Sequence, residues 1–200
     1  GDTKISAVTA INAEGTGIGI PTITGTGKMQ INGTILSFTG ADVNLAMTEG
    51  SVFTGDTQHD TGSTLELDIA GTGSRWIMTQ DSTLSSLTLT NGAEIYLSDE
   101  KNLTARQTLT IDENFHGNNG KIIFNGILSD DTSPIDQVII HGDATGTTKV
   151  AVNNLGGLGE KTIDGIQIIK IDGTSDNDTF IQDGRIVAGA YDYFVTKGNE

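Results

Sequence analysis

The apolar residues of this 200-residue chain come in short clusters with a period of two, and the clusters themselves recur. Val43, Leu45 and Met47 form one cluster, and Leu65, Leu67 and Ile69 the next. Trp76 and Met78, Leu87 and Leu89, Ile95 and Leu97, Leu109 and Ile111, and Ile122 and Phe124 continue the series. A period of two puts alternate side chains on one face of an extended chain, so each cluster reads as a half-buried strand of about 4–6 residues. Leu45 to Leu65, Leu67 to Leu87 and Trp76 to Tyr96 are each 20 residues apart, and Leu87 to Leu109 is 22. A unit of that length, holding two or three short strands, buries its apolar face only by stacking on copies of itself. The expectation is an all-β fold, a parallel β-helix (solenoid), with coils about 4.8 Å apart and like side chains in columns, Leu over Leu and Trp over Tyr. Ten such coils would make a rod about 50 Å long.

The turn chemistry agrees. There are 27 Gly and 2 Pro, with Thr, Ser, Asn and Asp between the clusters. Such a mixture favours frequent turns and disfavours long helices. In the stretch Ser74–Leu97, "SRWIMTQDSTLSSLTLTNGAEIYL", Asn91-Gly92 would ordinarily suggest a hairpin. The 20-residue register makes it a corner between stacked strands instead. A β-sandwich, with short strands every 8–12 residues, is the competing fold. From about Lys121 the strands lengthen, and an Ile-rich stretch follows with Ile163, Ile166, Ile168, Ile169 and Ile171. A solenoid must treat its last coil differently, because a bare edge invites aggregation. Residues 1–120 are therefore read as coils and 121–200 as the C-terminal cap of the same solenoid.

The net charge of −15 argues against nucleic acid or an anionic membrane as partner, since both require Lys and Arg. The chain has no cysteine, which removes disulfides, thiolate catalysis and Cys-based zinc sites. This suits a reduced compartment, or passage through an oxidising one in the unfolded state. No apolar run reaches the length of a membrane helix. The opening "GDTKISAV" carries no secretion signal and reads as internal to a longer protein.

Chemistry is sparse. His59, His116 and His141 stand apart, outside any HExxH arrangement, and read as surface or turn residues. No Gly-x-Ser-x-Gly elbow is present. The acid pairs Asp99-Glu100 and Asp130-Asp131 read as loop residues, since neighbours on a strand face opposite ways. Paired carboxylates could cleave a glycosidic bond if set about 5–9 Å apart across a groove, so a carbohydrate-active enzyme is the least favoured reading. "DGTSDNDTF", Asp172 to Phe180, resembles one calcium-binding turn in which Asp172, Asp176 and Asp178 would supply oxygens. Such sites are built from stacked copies, and this is a single one, so an Asx-rich turn is expected. No metal and no cofactor is expected. "GTGIGIPTITGTG" lacks the Lys and the strand-to-helix setting of a phosphate loop. Trp76, Tyr96, Phe124, Tyr191, Tyr193 and Phe194 read as core or cap aromatics. Sequons occur at Asn32, Asn102 and Asn177.

Three motifs, in order, resemble a known family. The first is the Trp76 strand with the Ser-Leu-Leu-Leu run and Asn91-Gly92. The second is an Asp followed by alternating aliphatics and spaced small residues, at Asp136, Val138, Ile140, Gly142, Ala144, Gly146, Val150, Val152 and Asn153. The third is "GRIVAGAYDY", Gly184 to Tyr193. Together they are similar to the late coils and closing segment of bacterial autotransporter passengers, in the self-associating and diffusely adhering adhesin branch. The resemblance covers about residues 74–194. It implies a right-handed β-helix ending in an autochaperone cap. It also implies an outer-membrane β-barrel of the same protein as partner, transit of the periplasm, and a place at the cell surface or in the medium. On that basis Trp76, Ile139, Gly142, Val152, Ile169, Gly189, Tyr191 and Tyr193 are the candidate residues for folding, as cap core and turns. The leading reading is a non-enzymatic passenger fragment whose end nucleates folding. The alternative is a binding module whose solenoid face, over residues 20–90, takes part in self-association or grips a host protein or glycan.

Overall fold

The computed structural model describes residues 2–15, 22–99 and 106–198. Glu100 of the first acid pair, the Asn102 sequon and part of the Gly-rich stretch lie outside them. The strands are β1 (Thr3–Glu14), β2 (Thr22–Gly27), β3 (Met29–Phe38), β4 (Asp42–Met47), β5 (Val52–Gly55), β6 (Thr57–His59) and β7 (Thr64–Ala70). They continue as β8 (Arg75–Met78), β9 (Ser82–Leu84), β10 (Ser86–Thr90), β11 (Glu94–Tyr96), β12 (Thr108–Ile111) and β13 (Phe115–Gly126). The last are β14 (Gln137–Ile140), β15 (Ala144–Asn154), β16 (Ile169–Ile171), β17 (Phe180–Gln182), β18 (Ile186–Ala188) and β19 (Tyr191–Tyr193).

Each coil visits three faces in turn. The first face runs through the start of β3, then β5, β8, β11 and the second half of β13, the strand that continues into β15's column. The second face carries the four-stranded sheet β9–β12–β14–β16, with β6 above it. The third runs β2–β4–β7–β10 and into the start of β13. These ladders are parallel throughout; among the described residues β18 and β19 are the one antiparallel strand pair, beside a single antiparallel bridge between Gly126 and Ile135. Parallel pairing across whole coils is a solenoid and excludes the sandwich, whose strands meet antiparallel.

Burial follows from that stacking. On the first face Ile31, Phe53, Trp76, Ile95, Ile122 and Val150 succeed one another in register. On the third, Leu45 lies under Leu67, Leu87, Phe115 and Ala144. On the second, Leu84, Ile111, Ile140 and Ile171 align. These inward columns form one continuous core.

The Leu-over-Leu columns match the sequence reading, but three details differ. Tyr96 does not stack on Trp76: it pairs with Ile77, and Trp76 lies between Phe53 and Ile95. Leu109 belongs to the second face, between Ser82 and Val138, while Phe115 follows Leu87. The coils are also uneven. Trp76 to Ile95 spans 19 positions and Ile122 to Val150 spans 28, so the chain forms fewer coils than ten. Corners absorb insertions without disturbing the column, because the ladder constrains only the strands.

Asn91-Gly92 is a corner, with φ of 55° and 81°. Its two N–H groups donate to the carbonyls of Asn118 and Asn119 in the next coil, at 2.9 and 2.8 Å. Asn119 repeats the left-handed conformation at φ 60°. Asn tolerates this region because its short polar side chain clashes little there.

Candidate functional site: the closing end of the solenoid

Beyond β15 the chain loops through residues 155–168, rejoins the stack with β16 on β14 and β17 on β15, and ends in the β18–β19 hairpin. Polar ties hold these segments together. Tyr193 Oη donates to the Ser129 carbonyl at 2.7 Å and accepts from the Glu160 N–H at 3.0 Å. The Asp131 carboxylate accepts from three successive N–H groups, those of Ile163 (3.0 Å), Asp164 (3.1 Å) and Gly165 (2.7 Å). Consecutive N–H groups pointing one way form a concave anion site, here filled by the chain's own side chain. Asn154 Oδ1 accepts from Leu128 and Gly157 N–H, fastening the start of the long loop to the preceding coil.

A second polar cluster lies inside the solenoid. Asp136 is fully buried. Its Oδ2 accepts from Ser98 Oγ (2.7 Å) and the Asn125 N–H (2.8 Å), and its Oδ1 from the Gln107 N–H (3.0 Å). Asn125 Nδ2 donates to the Ser98 carbonyl at 2.8 Å, and Asn153 Nδ2 donates to Asn125 Oδ1 at 3.0 Å. One carboxylate thus joins the end of β11, the approach to β12, the end of β13 and the approach to β14. Burial pushes its pKa above the ordinary 3.8, against the pull of these donors.

The candidate residues fall in several settings. Trp76 is fully buried in the coils rather than the cap; it stacks on Phe53 at 5.3 Å, and its Nε1–H donates to the Gly55 carbonyl at 3.0 Å. Ile139 is not core: it points outward beside Lys170, and its neighbours Val138 and Ile140 point in. The alternating aliphatics of the motif, Val138 and Ile140, are the buried set of "QVII". Gly142 sits at a crowded corner, where a Cβ would lie 2.3 Å from the Glu113 carbonyl oxygen. Val152 and Ile169 are half-buried against the core. Gly189 turns the hairpin at φ +56°, where a Cβ would meet the Leu158 carbonyl oxygen at 2.0 Å. Tyr193 is the tie described above, and Tyr191 is exposed beside it. Val152, Tyr191 and Tyr193 come together around one cleft, whereas Trp76, Gly142 and Ile169 lie elsewhere. The 120/121 division falls within β13, which is continuous across it.

Other side chains are committed to structure. His59 is not a surface residue: its side chain is 7% exposed, and Nε2 lies 3.2 Å from Asp112 Oδ2 without hydrogen-bond alignment. His116 contacts Thr145. Asp172 uses one oxygen on Lys170 (2.8 Å) and the other on His141 (2.7 Å). Lys170, then His141, hold its carboxyl below the usual range. Both carboxylate oxygens of Asp172 thus have partners within the chain.

The arrangement is that of a passenger solenoid with a built closing end. Residues 82–195 match the Autochaperone Domain Type 1 family, and the chain belongs to that family, as the autochaperone region of an autotransporter passenger. The relatives agree. The chain is 41% identical over 98 residues to the autotransporter adhesin AIDA-I of Escherichia coli, covering 48% of this chain and 8% of the relative. It is 41% identical over 99 residues to the adhesin BmaC autotransporter of Brucella suis, covering 46% and 3%. It is 30% identical over 182 residues to the probable autotransporter YfaL of Escherichia coli K12, covering 84% and 14%. The chain thus spans only a small part of each of these relatives.

Proposed function

We infer that the closing end, residues 121–198, nucleates folding of the solenoid during export, and that the coils then add one after another onto it. A single observation carries this: the Tyr193 hydroxyl reaches Ser129 across 64 positions of sequence and Glu160 across 33, fixing hairpin, loop and coil in one unit. Coils contact only their neighbours, so nucleating a solenoid is unfavourable and extending it is easy. A unit with its own long-range ties supplies the nucleus. Gly142, Val152, Ile169, Gly189, Tyr191 and Tyr193 contribute core, corners and ties to this unit, and Asp136 joins them in that role, while Trp76 serves the coils that add onto it.

On this reading the partner is the protein's own outer-membrane barrel, and the location is the cell surface or the medium after transit of the periplasm. The passenger is adhesive rather than enzymatic, as the names of two relatives suggest. The test is a longer passenger lacking residues 121–194, expressed on cells and treated with protease. Resistance should fall, and adding this 200-residue chain from outside should restore it. A truncated passenger that is already resistant would overturn the reading.

A further inference from the structure

We propose that the excursion between β13 and β14 is the hub on which the closing end assembles, with Asp131 as its positioning residue. The N–H groups of residues 163–165 form an oxyanion site, and the Asp131 carboxylate is its resident ligand. This goes beyond nucleation and stands whichever part of the chain folds first. Residues 127–135 leave the stack and return to it, with the Ile127 N–H donating to the Pro134 carbonyl at 3.0 Å and Gly126 bridging Ile135. Three residues of this excursion receive the later segments. Leu128 accepts from the Gly159 N–H at 3.0 Å and donates its own N–H to Asn154 Oδ1 at 3.2 Å. The Ser129 carbonyl takes the Tyr193 hydroxyl. Asp131 takes the N–H groups of Ile163, Asp164 and Gly165, 32 to 34 positions further on. Loop and hairpin thus meet on one short segment.

Leu128 and Ser129 hold their partners through the main chain, whereas Asp131 does so through its side chain. A charged acceptor makes the stronger hydrogen bonds. The neighbouring acid shows the contrast: Asp130 accepts from the N–H and the hydroxyl of Thr132, within its own turn. Of the pair Asp130-Asp131, then, one carboxylate shapes the excursion and the other reaches out of it.

The receiving turn has the form of an anion site. The Ile163 N–H lies 3.0 Å from both carboxylate oxygens, and the Gly165 N–H lies 2.7 Å from one of them. Gly165 has φ of 93°. A turn that passes into the left-handed region aims successive N–H groups into one concavity, which suits carboxylate or phosphate oxygens. A Cβ at Gly165 would meet open space, so alanine there strains only the backbone. Ile163, Asp164 and Gly165 are exposed, which leaves the concavity open to a small anion once the Asp131 side chain is removed. In the native chain the tethered carboxylate has an effective concentration that free anions do not match.

The test compares the full chain with its Asp131→Ala, Asp130→Ala and Gly165→Ala variants in acetate or inorganic phosphate, against chloride at the same ionic strength. Trypsin reads the loop at the exposed Lys161, and NMR shifts of the 163–165 amides read the site. Asp131→Ala should be cut after Lys161 about tenfold faster than the native chain, because the loop opens more often. It should bind acetate or phosphate and regain resistance as it does. Gly165→Ala should also be cut faster, with no rescue by either anion, and Asp130→Ala should gain no anion site. Cutting of Asp131→Ala at the native rate, rescue by chloride equal to that by acetate, or 163–165 amides that do not shift with either anion would overturn the proposal.

Discussion

Trp76 is held by two kinds of interaction. Its ring stacks on Phe53 with the planes 14° apart, and its indole N–H satisfies a buried carbonyl. Trp76→Ala should lower stability by about 3–5 kcal/mol through lost burial and the cavity left behind. Trp76→Phe keeps the stack and strands the Gly55 carbonyl, so it should lose only about 1–3 kcal/mol. Denaturant melts of the two variants test that order. Asp136 makes a prediction of opposite sign to the surface acids. Its pKa is raised on folding, so its contribution is fully present below 3.8 and is lost as pH rises through the raised value. Asp143, Asp172 and Asp183 are lowered, so theirs is present above 3.8 and lost as pH falls through the lowered values. Asp136→Asn cannot titrate. The stability advantage of the native chain over that variant should therefore shrink as pH rises from about 3.5 to 7 in thermal melts; an advantage that grows would contradict the assignment.

Among the elements, the β18–β19 hairpin depends on a close approach. Gly189→Ala meets both a left-handed φ and the Leu158 carbonyl, whereas Gly184→Ala at φ +88° meets open space. The first should exceed the roughly 1 kcal/mol of conformational strain expected of the second. Limited proteolysis should then nick the 155–168 loop in the Gly189 variant alone. The elements also mark how far sequence reading reaches. Alternation located the strands around Leu45, Leu67 and Leu87, because an inward column repeats its own residue type. It misplaced Leu109, because period 2 identifies two sides of a strand but not which of three faces the strand joins; Ile139 came from the resemblance, although the alternating pair Val138 and Ile140 is the set that faces in. Phe53 as the partner of Trp76 was hidden by uneven corners. Of the site, the glycine turn and the tyrosine pair were legible in "AGAYDY". The Asp136 cluster was not, since its partners Ser98, Gln107, Asn125 and Asn153 are scattered along the chain and meet only once the coils stack.

At the scale of the whole molecule, the account is directional. Ladders such as β10 on β7 and β7 on β4 give each coil little to fold against until its neighbour exists. The closing end carries ties of its own through Tyr193, Asp131 and Asn154. Stability in such an array is a sum of unit and interface terms, so the end with the best unit should fold first. Tyr193→Phe removes the hydroxyl ties and retains the ring. It should slow refolding of the whole chain while changing the unfolding rate less, as befits a contact made early. The most direct measurement is pulsed hydrogen exchange during refolding of the 200-residue chain. The account predicts that amides of β14, β15 and β18–β19 gain protection first, followed by β10 to β13 and last by β1 to β4. Protection that appears first in β1 to β7, or everywhere at once, would contradict a C-terminal nucleus.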